Sequence, residues 1–87
     1  MFSHDATLEF AYEEETRARV VYDAVAREIG EIDDERSRAR IDRDGPVLTL
    51  AVDARDRTAL RAALNTWCTL IDVAERSTAL GGRFETG

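Results

Sequence analysis

The chain contains no lysine. All 12 of its basic residues are arginine, set against 18 acidic residues, which leaves a net charge of −6. A GC-rich genome favours arginine codons, and growth in molar salt favours acidic surfaces that hold water. The composition fits both, and the acid excess leans toward the second. In either case the charge argues against strong nonspecific binding of nucleic acid by this chain alone. Cysteine occurs once, at Cys68. An internal disulfide is therefore excluded, and a lone thiol fits a reducing compartment. His4 is the only histidine, so no metal-ligand spacing exists and no cofactor is expected. There is no glycine-rich phosphate loop and no nucleophile–base pair, so catalysis by this chain is not expected. No apolar run is long enough to cross a bilayer and no leader is evident; the expected location is the cytoplasm. At 87 residues there is room for one domain. A core of that size commonly needs a staple, and with disulfides and metal removed, oligomerisation or docking on a larger partner remains.

What is present is a clear succession of periods. Residues 6–12, "ATLEFAY", alternate, with Leu8, Phe10 and Tyr12 on one side, and predict a half-buried strand. Glu13, Glu14 and Glu15 then crowd a helix start, where acidic side chains suit the positive end of the dipole. Ala18, Val21, Tyr22, Val25, Ala26 and Ile29 recur at helical spacing up to Gly30, a natural C-cap. After the polar link "EIDDE", residues 36–41 alternate again, with Ser37, Ala39 and Ile41 on one face and Arg36, Arg38 and Arg40 on the other. "DRDGP" predicts a turn into a third strand over 47–53. That strand is apolar on both sides: Leu48, Leu50 and Val52 on one, Val47, Thr49 and Ala51 on the other. Strands two and three form a hairpin. Asp53 or Asp56 caps a second helix over 57–76, whose stripe is Leu60, Ala63, Leu64, Trp67, Cys68, Ile71 and Ala74. Trp67 and Cys68 are both assigned to the core. Residues 1–5 and 77–87 carry little pattern and are read as tails around a domain at 6–76.

The predicted fold is thus α+β, in the order β-α-β-β-α, with a three-stranded antiparallel sheet and two helices on one face. Only two helices exist to cover a sheet whose third strand is apolar twice over. The uncovered side, carrying Val47, Thr49 and Ala51, is the candidate face for a homodimer. Off the main stripe of helix two, Ala62, Thr66, Leu70 and Val73 form a second ridge. With Asn65, an uncomfortable residue in mid-helix, and exposed parts of helix one, this ridge is a candidate partner-docking face. Arg36, Arg38, Arg40 and Arg43 form the one basic cluster. A solvent-facing strand balancing nearby carboxylates is the plainer reading, and phosphate contact with RNA the sharper one.

Helix two carries Leu60, Arg61, Ala62, Ala63, Leu64, Asn65, Thr66 and Trp67, then Ile71 after three residues. This run resembles the most recognisable segment of the small Pcc-type subunit of the KEOPS complex, the family that includes the CTAG/LAGE proteins. "ARVVYDAV" in helix one resembles the same family through Ala18, Val21, Tyr22, Ala24 and Val25. The likeness covers about residues 6–76. It implies an accessory role. In that complex a metal- and nucleotide-binding transferase of the ASKHA fold attaches a threonylcarbamoyl group to the adenosine beside the anticodon (t6A). The small subunit dimerises and docks on the transferase, and is linked indirectly to the KEOPS kinase subunit. It also implies possible tRNA contact through the arginines, and an archaeal source, haloarchaeal if the acid excess reflects salt. Two other classes compete. A KH-like RNA-binding module needs a GxxG loop between helices, and Gly81–Gly82 leads into none. A ligand-sensing ferredoxin-like module needs a fourth strand, for which only "GRFE" is available.

Carboxylates without lysine repel one another most where screening lengths are long. The melting temperature is expected to rise steeply between about 0.1 M and molar salt. A melting temperature indifferent to salt would assign the composition to codon bias.

Overall fold

The computed structural model describes residues 2–29 and 35–86, with side chains described as far as Ser77. The elements are β1 (His4–Ala11), α1 (Glu15–Ala26), β2 (Ser37–Asp44), β3 (Val47–Ala54) and α2 (Arg57–Thr86). The order and class are those predicted: one antiparallel sheet and two helices. The strand order is β1-β3-β2, so the last strand in sequence is the centre of the sheet. β1 and β2 both run antiparallel to β3 and so run in the same direction, on opposite edges.

The register puts three residues in each row across the sheet. Leu8, Leu50 and Ile41 share one row, Phe10, Leu48 and Arg43 the next, and Ala6, Val52 and Ala39 a third. Along β3 every second residue is buried, and Leu48, Leu50 and Val52 are completely so. Trp67 and Ile71 of α2 and Val21 and Val25 of α1 join them in one core cluster. Leu8, Phe10, Ile41, Leu60 and Leu64 pack around its margin, half-buried.

Boundaries differ from the periodic reading in ways that have local causes. β1 starts at His4, because His4 and Asp5 find backbone partners opposite Ala54 and Asp53. The segment read as an N-terminal tail therefore already contributes to the sheet. β2 continues to Asp44, leaving Gly45 and Pro46 as a two-residue hairpin turn. Gly45 has φ +59°. Proline cannot take positive φ, so the turn is of the II′ kind, which requires glycine first and matches the sheet's twist. α1 ends at Ala26, with tight bonds from the N–H groups of Glu28 and Ile29 to the carbonyls of Val25 and Ala26. The expected cap at Gly30 lies outside the described residues. At α2, Asp56 rather than Asp53 is the cap: its Oδ1 accepts the Ala59 N–H at 2.7 Å. α2 continues past Arg76 to Thr86, so residues read as a C-terminal tail have helical backbone. Asp72 and Arg76 form an i,i+4 pair within the expected last turn. Two glycines at 81 and 82 lower helix propensity by about 1 kcal/mol each without forcing a break.

Cys68 is exposed, contrary to its expected place in the core. A step of one residue rotates a helix position by about 100°. With Trp67 pointed at the sheet and 1% exposed, its neighbour must turn away. Burial also ranks the leucines. Leu50→Ala, at a position with no exposure, is expected to cost about 2–5 kcal/mol. Leu64→Ala should cost visibly less, because Leu64 is half-buried. Urea unfolding of the two variants checks the order; equal losses would mean that Leu64 is a full core residue.

Candidate docking and self-association surfaces

Two antiparallel helices on one side of a sheet leave a furrow along their outer seam. Here it is a groove of about 320 Å³ lined by Val20, Ala24, Val25 and Glu28 from α1 and Leu70, Val73, Ala74 and Ser77 from α2. Its rims are the two exposed large hydrophobic residues among the described ones, Val20 at 44% and Val73 at 51%. The remaining lining is mostly small and apolar, which lets another backbone approach closely.

The five residues of the predicted docking ridge divide on the structure. Val73 and Leu70 line the groove. Leu70 is half-buried and packs against the core as well, so it does not lie clear of the structural stripe. Ala62 and Thr66 continue the ridge toward the start of α2 and are exposed. The Thr66 hydroxyl donates to the Ala62 carbonyl at 3.0 Å, so its polar group is satisfied within the helix. Asn65 belongs elsewhere. It is exposed and lines a separate cleft of about 640 Å³ with Arg57, Thr58, Leu60, Arg61 and Leu64. The contribution of α1 was named only in outline from the sequence; the signal that locates it is the doublet Val20–Val21. Adjacent positions on a helix point about 100° apart; Val21 is fully buried and Val20 is 44% exposed.

On the other side of the sheet, Val47, Thr49 and Ala51 form a half-buried column along β3. It is only one strand wide. The register flanks it with Asp5, Thr7 and Glu9 on β1 and with Arg38, Arg40, Asp42 and Asp44 on β2. The open face expected to be apolar is therefore a narrow apolar seam between charged borders. The four arginines do not form one cluster. Arg38 and Arg40 project from the open face, and the Arg38 guanidinium lies 5.3 Å from the Phe2 ring centroid. Arg36 is exposed just before β2, where its carbonyl accepts the Arg55 N–H at 2.9 Å. Arg43 has the opposite parity and turns to the helix side. There it lies 3.7 Å from the Glu15 carboxylate and donates to the Gly45 carbonyl at 3.0 Å, bracing the hairpin turn.

One polar tie joins the end of β1 to α2. The Tyr12 hydroxyl donates to Glu75 Oε2 at 2.6 Å, and Arg17 lies over the Tyr12 ring. Burial first, then this hydrogen bond and the Glu75 charge, push the Tyr12 hydroxyl well above the usual phenol range; Arg17 pulls the other way. Among the described residues, no group of three or more His, Cys, Asp or Glu side chains is placed to hold a metal ion. Nor is any helix long and apolar enough to cross a membrane.

The fold defines a class: a small α+β domain in which a helical pair backs a three-stranded sheet split around a central last strand. Over residues 5–79 the sequence matches the family described as Transcription factor Pcc1, and the chain belongs to that family, one of accessory subunits of the KEOPS complex. No curated protein matches the chain.

Tyr12 gives a direct check on the tie. The folded state holds the phenol proton more tightly than the unfolded chain. That stabilisation is fully present below about pH 10 and is lost as pH rises through the folded-state value. Tyr12→Phe is expected to cost about 1 kcal/mol at neutral pH and to flatten the alkaline fall in melting temperature. A variant that matches the parent at both pH values would show the bond to be energetically silent.

Proposed function

We propose that this chain is a non-catalytic subunit of KEOPS that joins two copies of itself through the open sheet face. Through its helices it docks on the complex's transferase subunit. In this way it supports formation of threonylcarbamoyladenosine beside the tRNA anticodon, with the chemistry carried by the transferase and the kinase subunit reached indirectly. The observation that carries the reading, beside membership of the family, is the groove between α1 and α2. It is apolar, lies on the helical layer away from the sheet, and is bordered by two valines that the isolated chain leaves exposed. A solvent-exposed pair of β-branched side chains flanking small residues gains by covering, and a helix of a larger partner has the shape to enter such a furrow.

The docking residues in this proposal are Val73 and Val20 at the rims, the exposed Ala24 and the half-buried Leu70 in the lining, and Ala62 and Thr66 extending the ridge. Asn65 is a peripheral contact at most, since its cleft is separate. Val47, Thr49 and Ala51 supply the seam for self-association.

Val73→Glu is the discriminating variant. Position 73 is half exposed, so a carboxylate there can stay hydrated in the free chain and leave folding and dimerisation intact. In a covered groove the same charge would be desolvated without a partner, at a cost of several kcal/mol. Co-purification with the transferase, and threonylcarbamoylation of tRNA by the reconstituted complex, are expected to be lost. Retention of both would move docking away from the groove. Leu70→Glu is a poorer probe, because Leu70 also packs on the core.

A further inference from the structure

The outward row of β2 reads Arg38, Arg40, Asp42, Asp44: two positive charges followed by two negative ones. All four side chains are exposed. Among the described residues, Arg40, Asp42 and Asp44 make no side-chain hydrogen bond or ion pair within the chain. A row of this kind is its own complement when reversed. We propose, resting on the reading that the open face self-associates, that a second copy of this chain packs face to face upon it. The two-fold axis runs perpendicular to the strands, between the Arg40 and Asp42 rows. Arg40 then meets the partner's Asp42 and Arg38 meets the partner's Asp44, each twice by symmetry.

On that axis the half-buried Asp53, beside Arg38 in its own row, comes over the partner's Val47, and Glu9 meets the partner's Thr7. The central column brings Ala51 against the partner's Thr49, small residues that let two sheets approach to roughly 10 Å. The alternative two-fold, running along the strands, lays β1 of one copy over β2 of the other. It matches Arg38 with the partner's Asp5 but sets Asp42 on the partner's Glu9, like charges facing each other twice. Ion pairs at the border of an interface add little attraction singly. Their chief effect is to exclude the wrong arrangement, since opposed like charges leave an association site with nothing to neutralise them. The charge order on β2 thus sets the orientation of the dimer, while the apolar seam supplies its adhesion.

The test uses two single variants of the full chain, Arg40→Asp and Asp42→Arg, at about 0.15 M salt, where screening acts over about 8 Å. Both positions are exposed, and circular dichroism confirms that each variant folds. In the proposed arrangement Arg40→Asp opposes two carboxylates and Asp42→Arg opposes two guanidinium groups. Each alone is expected to weaken self-association at least about tenfold by sedimentation equilibrium. An equimolar mixture is expected to form a heterodimer of near-parental affinity, because each copy supplies what the other lacks. The double variant carrying both changes in one chain is expected to dimerise as the parent does. Single variants that dimerise normally, or a mixture that stays monomeric, overturn the charge register while leaving dimerisation itself standing. A parent chain that is monomeric at micromolar concentration overturns the self-association reading on which this one rests. If Arg40→Asp leaves the dimer intact and instead lowers tRNA affinity of the reconstituted complex, the row serves RNA and the proposal fails.

Discussion

Everything in this molecule depends on covering one side of β3. The strand is central, so its backbone is paired on both edges, and Leu48, Leu50 and Val52 cannot reach water except through the face toward the helices. Burial of each large aliphatic side chain contributes about 1.5–3 kcal/mol, and the same cluster takes in Trp67 and Ile71 from α2 and Val21 and Val25 from α1. The helices lie where that surface must be sealed. Once they are committed to it, their outer seam and the far side of the sheet are left uncovered. The groove and the charged seam are therefore by-products of one packing requirement.

Much of this was legible because its signals are periodic. Alternation in β1 and β2, the double apolarity of β3 and the stripe of α2 give element type and order without further information. What was not legible depends on distance in space. The extension of β1 to His4 requires knowing that Ala54 lies opposite. The exposure of Cys68 is settled by where Trp67 points, a phase choice that a broad apolar stripe leaves free. Arg43 looks like a member of an arginine run, yet strand parity sends it to the helix side and toward Glu15.

The candidate surfaces show the same division. Val73 and Leu70 stand off the stripe in the sequence and do line the groove, but the groove itself is made by two helices, and Val20 and Ala24 enter only through tertiary placement. Asn65 illustrates the opposite error. It is a polar residue inside an otherwise regular helix, and its helical phase places it with Arg57 and Arg61 in another cleft. The charge order along β2 was readable throughout, though without the strand order nothing indicated that it borders an open seam.

The two-residue turn at Gly45 and Pro46 carries a consequence for how this protein can change over generations. It is the only connection between the strands of the hairpin, and side chains alternate with a period of two. Loss or gain of a single codon there that shifted the pairing would exchange the faces of β2, sending Arg38 and Arg40 inward and Ala39 and Ile41 out. Point substitutions on the outward row, where all four side chains are exposed, leave that alternation intact. The hairpin thus separates two kinds of heritable variation: length is held rigid by folding, while the identity of the exposed charges is not.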